Sequence, residues 1–171
     1  MTTALVATAG ATTANTYATF AEAVAYHGDR PQPDDKWNGA DPEDQERALL
    51  FAAKLMDAMI EWAGWPITTT QAMLWPRSGL YHRNGTYVAS DEIPAELKNA
   101  QAELAAHLLR QKETLEAGLE NVDSFTIGAL SVSFRSSAVE KFISNTATLL
   151  LPRGWFVGIV GQSISVPLMR A

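Results

Sequence analysis

The chain has 171 residues, 47% hydrophobic, 19% charged and 9% aromatic, which is the make-up of a folded protein and too apolar for a disordered one. A single domain of this length buries roughly two thirds of the surface that its unfolded form exposes. The lack of cysteine excludes disulfide frames and cysteine-ligated zinc, and a formal charge of −6 opposes a surface built mainly to grip phosphates.

The acidic excess lies before Pro76, whereas acid and base nearly balance from Arg77 to Lys112. No apolar run reaches the roughly 18 residues of a membrane span. The first ten residues lack the basic region that opens a signal peptide.

Taken in order, residues 1–14 are Ala, Thr and Gly around one Leu-Val pair, which predicts a short edge strand or an extended arm. Asn15 or Thr16 is placed to cap a helix through Ala25 or Tyr26, with Tyr17, Phe20, Ala21 and Val24 on its buried face and Gly28 at its end. Residues 29–40 read as a loop from which Trp37 folds back onto the core. Asp41-Pro42-Glu43-Asp44 starts a helix predicted to reach Ala63, with Leu49, Ala52, Ala53, Met56, Met59 and Ile60 inward. Gly64-Trp65-Pro66 stops it.

A short turn over residues 68–73 leads to Trp75-Pro76, where proline forces the chain off any helix. Asn84-Gly85 between two apolar runs predicts a hairpin near residues 80–88. Ile93-Pro94 opens the longest helix, predicted to run to about Ala117 with Leu97, Gln101, Leu104, Leu108 and Leu115 buried, Ala100 and Ala105 at close approaches, and Gly118 releasing it. Phe125, Ile127, Leu130, Val132 and Phe134 suggest strand, and Ser136 or Ser137 could cap a final helix containing Val139, Phe142, Ile143, Leu149 and Leu150.

The tail from Trp155 is β-prone and almost uncharged. It is either a strand of this chain's own sheet or an arm that pairs with another subunit, because unpaired apolar strands recruit partners. The fold class expected is mainly α. A small helical bundle carries a hairpin and a short C-terminal β element. Residues 1–14 form an arm, 15–118 the core, 119–154 a strand and final helix, and 155–171 a second arm.

No constellation names a reaction. Glu103 and His107 stand one helical turn apart but lack the further ligands of a metal site, so a solvated pair is the default reading. His27 and His82 have no nucleophile arrangement beside them, and no glycine pattern cradles phosphate. An enzyme, a metal and a cofactor are therefore not expected. Five tryptophans and four tyrosines invite base stacking, although aromatics on turns and helix faces more often form core. Arg77, Arg83, Lys98, Arg110 and Lys112 are the basic concentration, and such residues more often face solvent or make interface hydrogen bonds than touch DNA.

Asn15-Thr16-Tyr17, Gln71 to Gly79 with its Trp75-Pro76-Arg77-Ser78-Gly79 core, the Asn84-Gly85 turn and the Ile93-Pro94 helix together resemble a family of small tailed-phage proteins. That family is labelled both as head-tail connector, or adaptor, and as DnaT-like single-stranded DNA-binding protein. The adaptor label implies a virion protein, assembled in the bacterial cytoplasm, that forms a homo-oligomeric, dodecameric ring below the portal protein. Such a ring extends the channel, joins the head to a neck or tail-terminator protein, and lets double-stranded DNA pass without tight binding or membrane contact. Under that reading Trp155, Phe156, Val157, Ile159, Val160, Ile164 and Val166 would dock on the portal or a neighbouring subunit. Asp34, Asp35, Asp41, Glu43 and Asp44, beside Glu46, would line an acidic lumen. The alternative function is single-stranded nucleic-acid binding. Trp75, Pro76 and Arg77 are expected to be a structural corner, with Trp75 as an anchor and Arg77 bonding near the turn or to a neighbouring subunit.

Overall fold

The computed structural model describes residues 3–31, 34–120 and 144–159, with the backbone alone for 111–120. The expected strand over 125–135, most of the expected final helix, the side chains of Lys112 and Leu115, and Val160, Ile164 and Val166 of the expected docking arm lie outside the described residues.

The fold is mixed, combining helices with two small antiparallel sheets. Helices α1 (Phe20–Gly28), α2 (Asp35–Asn38) and α3 (Pro42–Met59) come first, followed by strands β1 (Ile60–Trp62), β2 (Trp65–Pro66) and β3 (Arg77–Ser78). Helix α4 (Ala95–Glu120) precedes α5 (Asn145–Leu150), a 3₁₀ turn at Arg153–Trp155 and β4 (Phe156–Ile159). β1 pairs with β4 and β2 with β3.

Helix α4 is the hub, packing on α1, α2, α3 and α5. Its sequence explains this role, because Leu97, Leu104 and Leu108 supply apolar bulk while Ala100, Ala102, Ala105 and Ala106 let neighbouring backbones approach. The buried Gln101 fixes the entry of the chain. Its Oε1 accepts from the amides of Tyr17 and Ala18 at 3.0 and 2.8 Å, and its Nε2 donates to Thr16 Oγ1 and Leu49 O at 2.6 and 2.9 Å. All four bonds of this side chain are internal, as its burial requires.

Those bonds hold Thr16 to Ala18 outside the helix, so α1 begins later than expected. Thr19 is its cap, in a reciprocal capping box with Glu22. The buried face changes accordingly: Ala23 and His27 point inward and Val24 is exposed. Residues 3–14 form no strand. They are instead docked, since Asn15 binds Val6 and Ala4 and the Ala72 amide donates to Ala11 O.

Helix α3 ends at Met59 rather than at residue 63. Ile60 and Trp62 face inward and Glu61 outward as β1 pairs in register Ile60↔Ile159, Glu61↔Gly158 and Trp62↔Phe156. The paired partner comes from the expected arm, which corrects that expectation for Trp155, Phe156 and Ile159. Trp155 is fully buried and Ile159 nearly so, both packing within their own chain, and Val157 alone of the described arm residues is strongly exposed. The last described helix is capped by Ser144, and α4 continues past Gly118.

Three indoles meet at the centre. Trp75 lies edge-on to Trp62 at 5.6 Å and tilted on Trp155 at 4.9 Å. Burial of such rings dominates core energetics. Trp37 returns from the 29–40 segment as expected, stacked on His27 at 4.4 Å. That segment is not all loop, because Asp34 caps α2 within it.

Candidate nucleic-acid interface

Of the five tryptophans, Trp65 is the one turned outward. It is 70% exposed, whereas Trp37, Trp62, Trp75 and Trp155 are at 7% or below. Tyr81 and Tyr87, at 60% and 53%, are exposed beside it. The Trp-Pro-Arg-x-Gly stretch is what places these rings.

Trp75 is sunk in the core, and the Trp75–Pro76 peptide is cis. The chain then pairs Trp65↔Ser78 and Pro66↔Arg77. Arg77 is buried and bonds to backbone alone: Nε donates to Ala63 O at 2.7 Å, Nη1 to Leu74 O at 3.1 Å, and Nη2 to Gly64 O at 2.8 Å and Trp62 O at 3.4 Å. Burial pushes its pKa down, with Tyr17 and Asp57 opposing, and an arginine stays charged through such a shift. Of the two expectations for Arg77, bonding near the turn is the one observed. Its planar fork satisfies carbonyls on both sides of the β2–β3 ribbon.

Gly79, at φ +83°, ends the ribbon and seats the ring. A Cβ there would stand 2.8 Å from Cζ3 and 3.2 Å from Cε3 of Trp65, so the edge of that ring lies against the glycine. The Gly79 amide donates to Tyr87 Oη at 3.0 Å, and Tyr87 meets Tyr81 edge-to-face at 5.6 Å and 82°. Tyr81 and Tyr87 are bridged across the expected hairpin. Its turn carries Gly85 at φ +82°, and Asn84 Oδ1 accepts from the Thr86 amide at 3.0 Å.

The C-terminal segment braces the hairpin. Trp155 Nε1 donates to Tyr81 O at 2.8 Å, and Arg83 Nη2 donates to Leu149 O and, at 3.1 Å, to Leu151 O. His82 Nδ1 lies 2.9 Å from Glu96 Oε1. Arg83 is exposed and makes no ion pair with a carboxylate among the described residues.

Behind the corner, Tyr17 Oη donates to Asp57 Oδ1 and the Leu74 amide to Asp57 Oδ2. Burial raises the Asp57 carboxyl pKa against those bonds. Burial, then the Asp57 charge, raises the Tyr17 hydroxyl well above its usual value.

The remaining charges do not gather into one surface. Asp34 is buried and paired with Arg30 and Arg110, which removes it from the expected acidic lumen. Asp35, Asp41 and Glu43 are exposed and Asp44 is half-buried, Glu43 and Asp44 both being held by Arg47 at 2.7 and 2.6 Å. Glu103 is not solvated either. It is buried among Arg30 at 3.0 Å, Arg110 at 3.4 Å and the Tyr26 hydroxyl at 3.3 Å. Lys98 is bound to Glu22 at 2.6 Å. The described members of the expected basic concentration, Arg77, Arg83, Lys98 and Arg110, are thereby dispersed into ion pairs and backbone bonds.

Among the described residues no group of three His, Asp or Glu side chains could hold a metal ion, and no helix is long and apolar enough to cross a membrane. The sequence reading used Trp65 as a helix stop and missed its outward position. The Gly64 and Pro66 flanking it, with Gly79 downstream, were the available signal.

No curated protein and no solved structure matches the chain. A family model described as "Putative DnaT-like ssDNA binding protein" matches residues 3–171. That match covers nearly the whole chain, and the protein belongs to this family.

Proposed function

We propose that this protein binds single-stranded DNA and that the Trp65, Tyr81 and Tyr87 surface is its contact. The observation that carries the reading is that Gly79 meets both Trp65, exposed on the ribbon fixed by Arg77, and Tyr87, exposed and paired with Tyr81 on the hairpin. Stacking of bases on such rings is tolerant of sequence, and the family description supports single-stranded DNA as the ligand. The formal charge of −6 shapes the mode rather than opposing it. With Arg30, Arg47, Lys98 and Arg110 paired to carboxylates, fewer cations among the described residues are left for phosphate, and stacking carries more of the binding. No catalysis, metal or cofactor is part of this reading. Fluorescence anisotropy of a labelled oligothymidylate across a salt series tests it. One or two phosphate contacts predict a log–log slope of about −0.7 to −1.4. No binding at low salt would remove the reading.

A second reading is a head-tail connector subunit, which would form a dodecameric ring between the portal and a neck or tail-terminator protein in the virion. The pairing of Arg30, Arg47, Lys98 and Arg110 with carboxylates favours it, because an acidic surface whose cations are paired lets double-stranded DNA pass without tight binding. Negative-stain images with a portal assembly test it. Uniform rings seated on the portal support this reading, and a monomer that ignores the portal counts against it.

A further inference from the structure

We infer that the ligand at this surface is the unpaired nucleobase itself, held against the open face of Trp65, with the phosphate chain as a minor contributor. The inference rests on the single-stranded DNA reading and specifies what that DNA must present. The Cε3–Cζ3 edge of the Trp65 ring is seated against Gly79, where a Cβ would stand 3.2 and 2.8 Å from those two atoms. With that edge seated and 70% of the residue exposed, the ring offers a face to water. A flat apolar face, held at its edge and open to water, matches the face of a base in size and chemistry.

Its neighbours fit the same ligand. The Tyr87 hydroxyl is tied to the Gly79 amide, so this ring is held in place beside the indole. Tyr81 stands edge-to-face with Tyr87, which extends the aromatic surface past the width of one ring. Arg83, on the same hairpin, uses Nη2 on Leu149 and Leu151 carbonyls. Its remaining donors can meet one phosphate. One arginine on a hairpin that carries two exposed rings is the reverse of a phosphate-tracking groove, which lines a strand with many cations. A duplex hides its base faces within its own stack everywhere but at its two ends, and along its length it offers this surface phosphates and groove edges. The surface therefore selects for single strands through stacking and reads little of base identity.

The test compares three probes of equal length on the full chain: an oligothymidylate, the same backbone without bases, and a blunt duplex. Binding is read by anisotropy and by quenching of tryptophan emission, where Trp65 is the sole strongly exposed indole. The expected result is binding of the oligothymidylate with quenching, and affinity at least tenfold weaker for the abasic strand and the duplex. Trp65→Ala should weaken the oligothymidylate about 5- to 150-fold, the range for loss of one base stack, while Trp65→Phe retains most of it. Because Trp65 is exposed, both variants are expected to keep the wild-type Tm, which checks that the fold persists.

Equal affinity for the abasic strand, or wild-type affinity in folded Trp65→Ala, overturns the inference while leaving the single-stranded DNA reading in place. No binding of any probe by the wild type overturns the reading and the inference together. Oligomers of the wild type that dissociate in Trp65→Ala, with DNA binding unchanged, assign the ring to a subunit contact and also overturn the inference.

Discussion

Gly79 lies against the Cε3–Cζ3 edge of the Trp65 indole, so closely that a Cβ would come within 2.8 Å of the ring. The glycine is required twice, by the ring edge against it and by its φ of +83°. Gly79→Ala should cost about 1–2 kcal/mol for the left-handed backbone alone. For a chain of this size that lowers Tm by roughly 2–8 °C. The displaced indole should become more accessible to iodide. Calorimetry and iodide quenching read the two effects separately, and a rise in Tm would contradict the geometry.

Arg77 makes a second prediction from the same corner. Its donors reach four carbonyls, of Trp62, Ala63, Gly64 and Leu74. A lysine has one ammonium and no planar fork, so it cannot satisfy them together. Arg77→Lys should destabilise by about 1–3 kcal/mol, since hydrogen bonds to charged groups are worth about that much, and Arg77→Ala by more. Urea unfolding should show lower midpoints at unchanged slope. Wild-type stability in Arg77→Lys would mean that charge alone suffices here.

Tyr17 and Asp57 set the dependence on pH. Burial raises the Asp57 pKa above its unfolded value, so the folded state holds this proton more tightly than the unfolded state. The stability linked to the group is then complete below the ordinary carboxylate range and is lost as pH rises through the folded pKa. Tyr17, raised well above its usual value, repeats that loss at alkaline pH. Asp57→Asn should flatten the acid limb of a stability-versus-pH curve. Tyr17→Phe should remove the alkaline component and lower stability at neutral pH by about 1–3 kcal/mol, through the unsatisfied carboxylate. An unchanged acid limb in Asp57→Asn would place the titration elsewhere.

The parts of the fold that were legible in the sequence are those written locally. The proline at position 76, the Asn84-Gly85 turn and the Ile93-Pro94 helix start act within a few residues of themselves, and each stands where the sequence puts it. Local pattern failed where a distant partner decides. Ile60 fits a helical period, but pairing with Ile159 makes it strand. Glu103 sits where a helix face is ordinarily wet, yet Arg30 and Arg110 converge on it and bury it. Tyr17 fits the face of a helix, but Gln101 captures its amide and delays the helix to Phe20. The candidate site was half legible. The Trp-Pro-Arg-x-Gly corner marked the place, while the outward ring belonged to Trp65, ten residues upstream of Trp75, and only the β2–β3 pairing brings it there.

Trp155 supplies the last prediction, because an arm and an internal strand answer to proteases in opposite ways. Its side chain is fully buried against Trp75, its Nε1 donates to Tyr81 O, and in the strand that follows Phe156, Gly158 and Ile159 pair with β1. Cleavage requires an extended, accessible backbone, which a buried anchor followed by a paired strand does not offer. Limited proteolysis of the wild type should therefore spare residues 150–159. Trp155→Ala should cost about 3–5 kcal/mol, as truncation of a buried tryptophan does. It also removes the donor to Tyr81 O, so cutting should appear between 150 and 159 together with faster amide exchange in the 81–87 hairpin. Exchange confined to the C-terminal segment would show that the hairpin holds its rings without this brace. Rapid trimming of the wild type near Trp155 would restore the arm and uncouple the aromatic surface from the end of the chain.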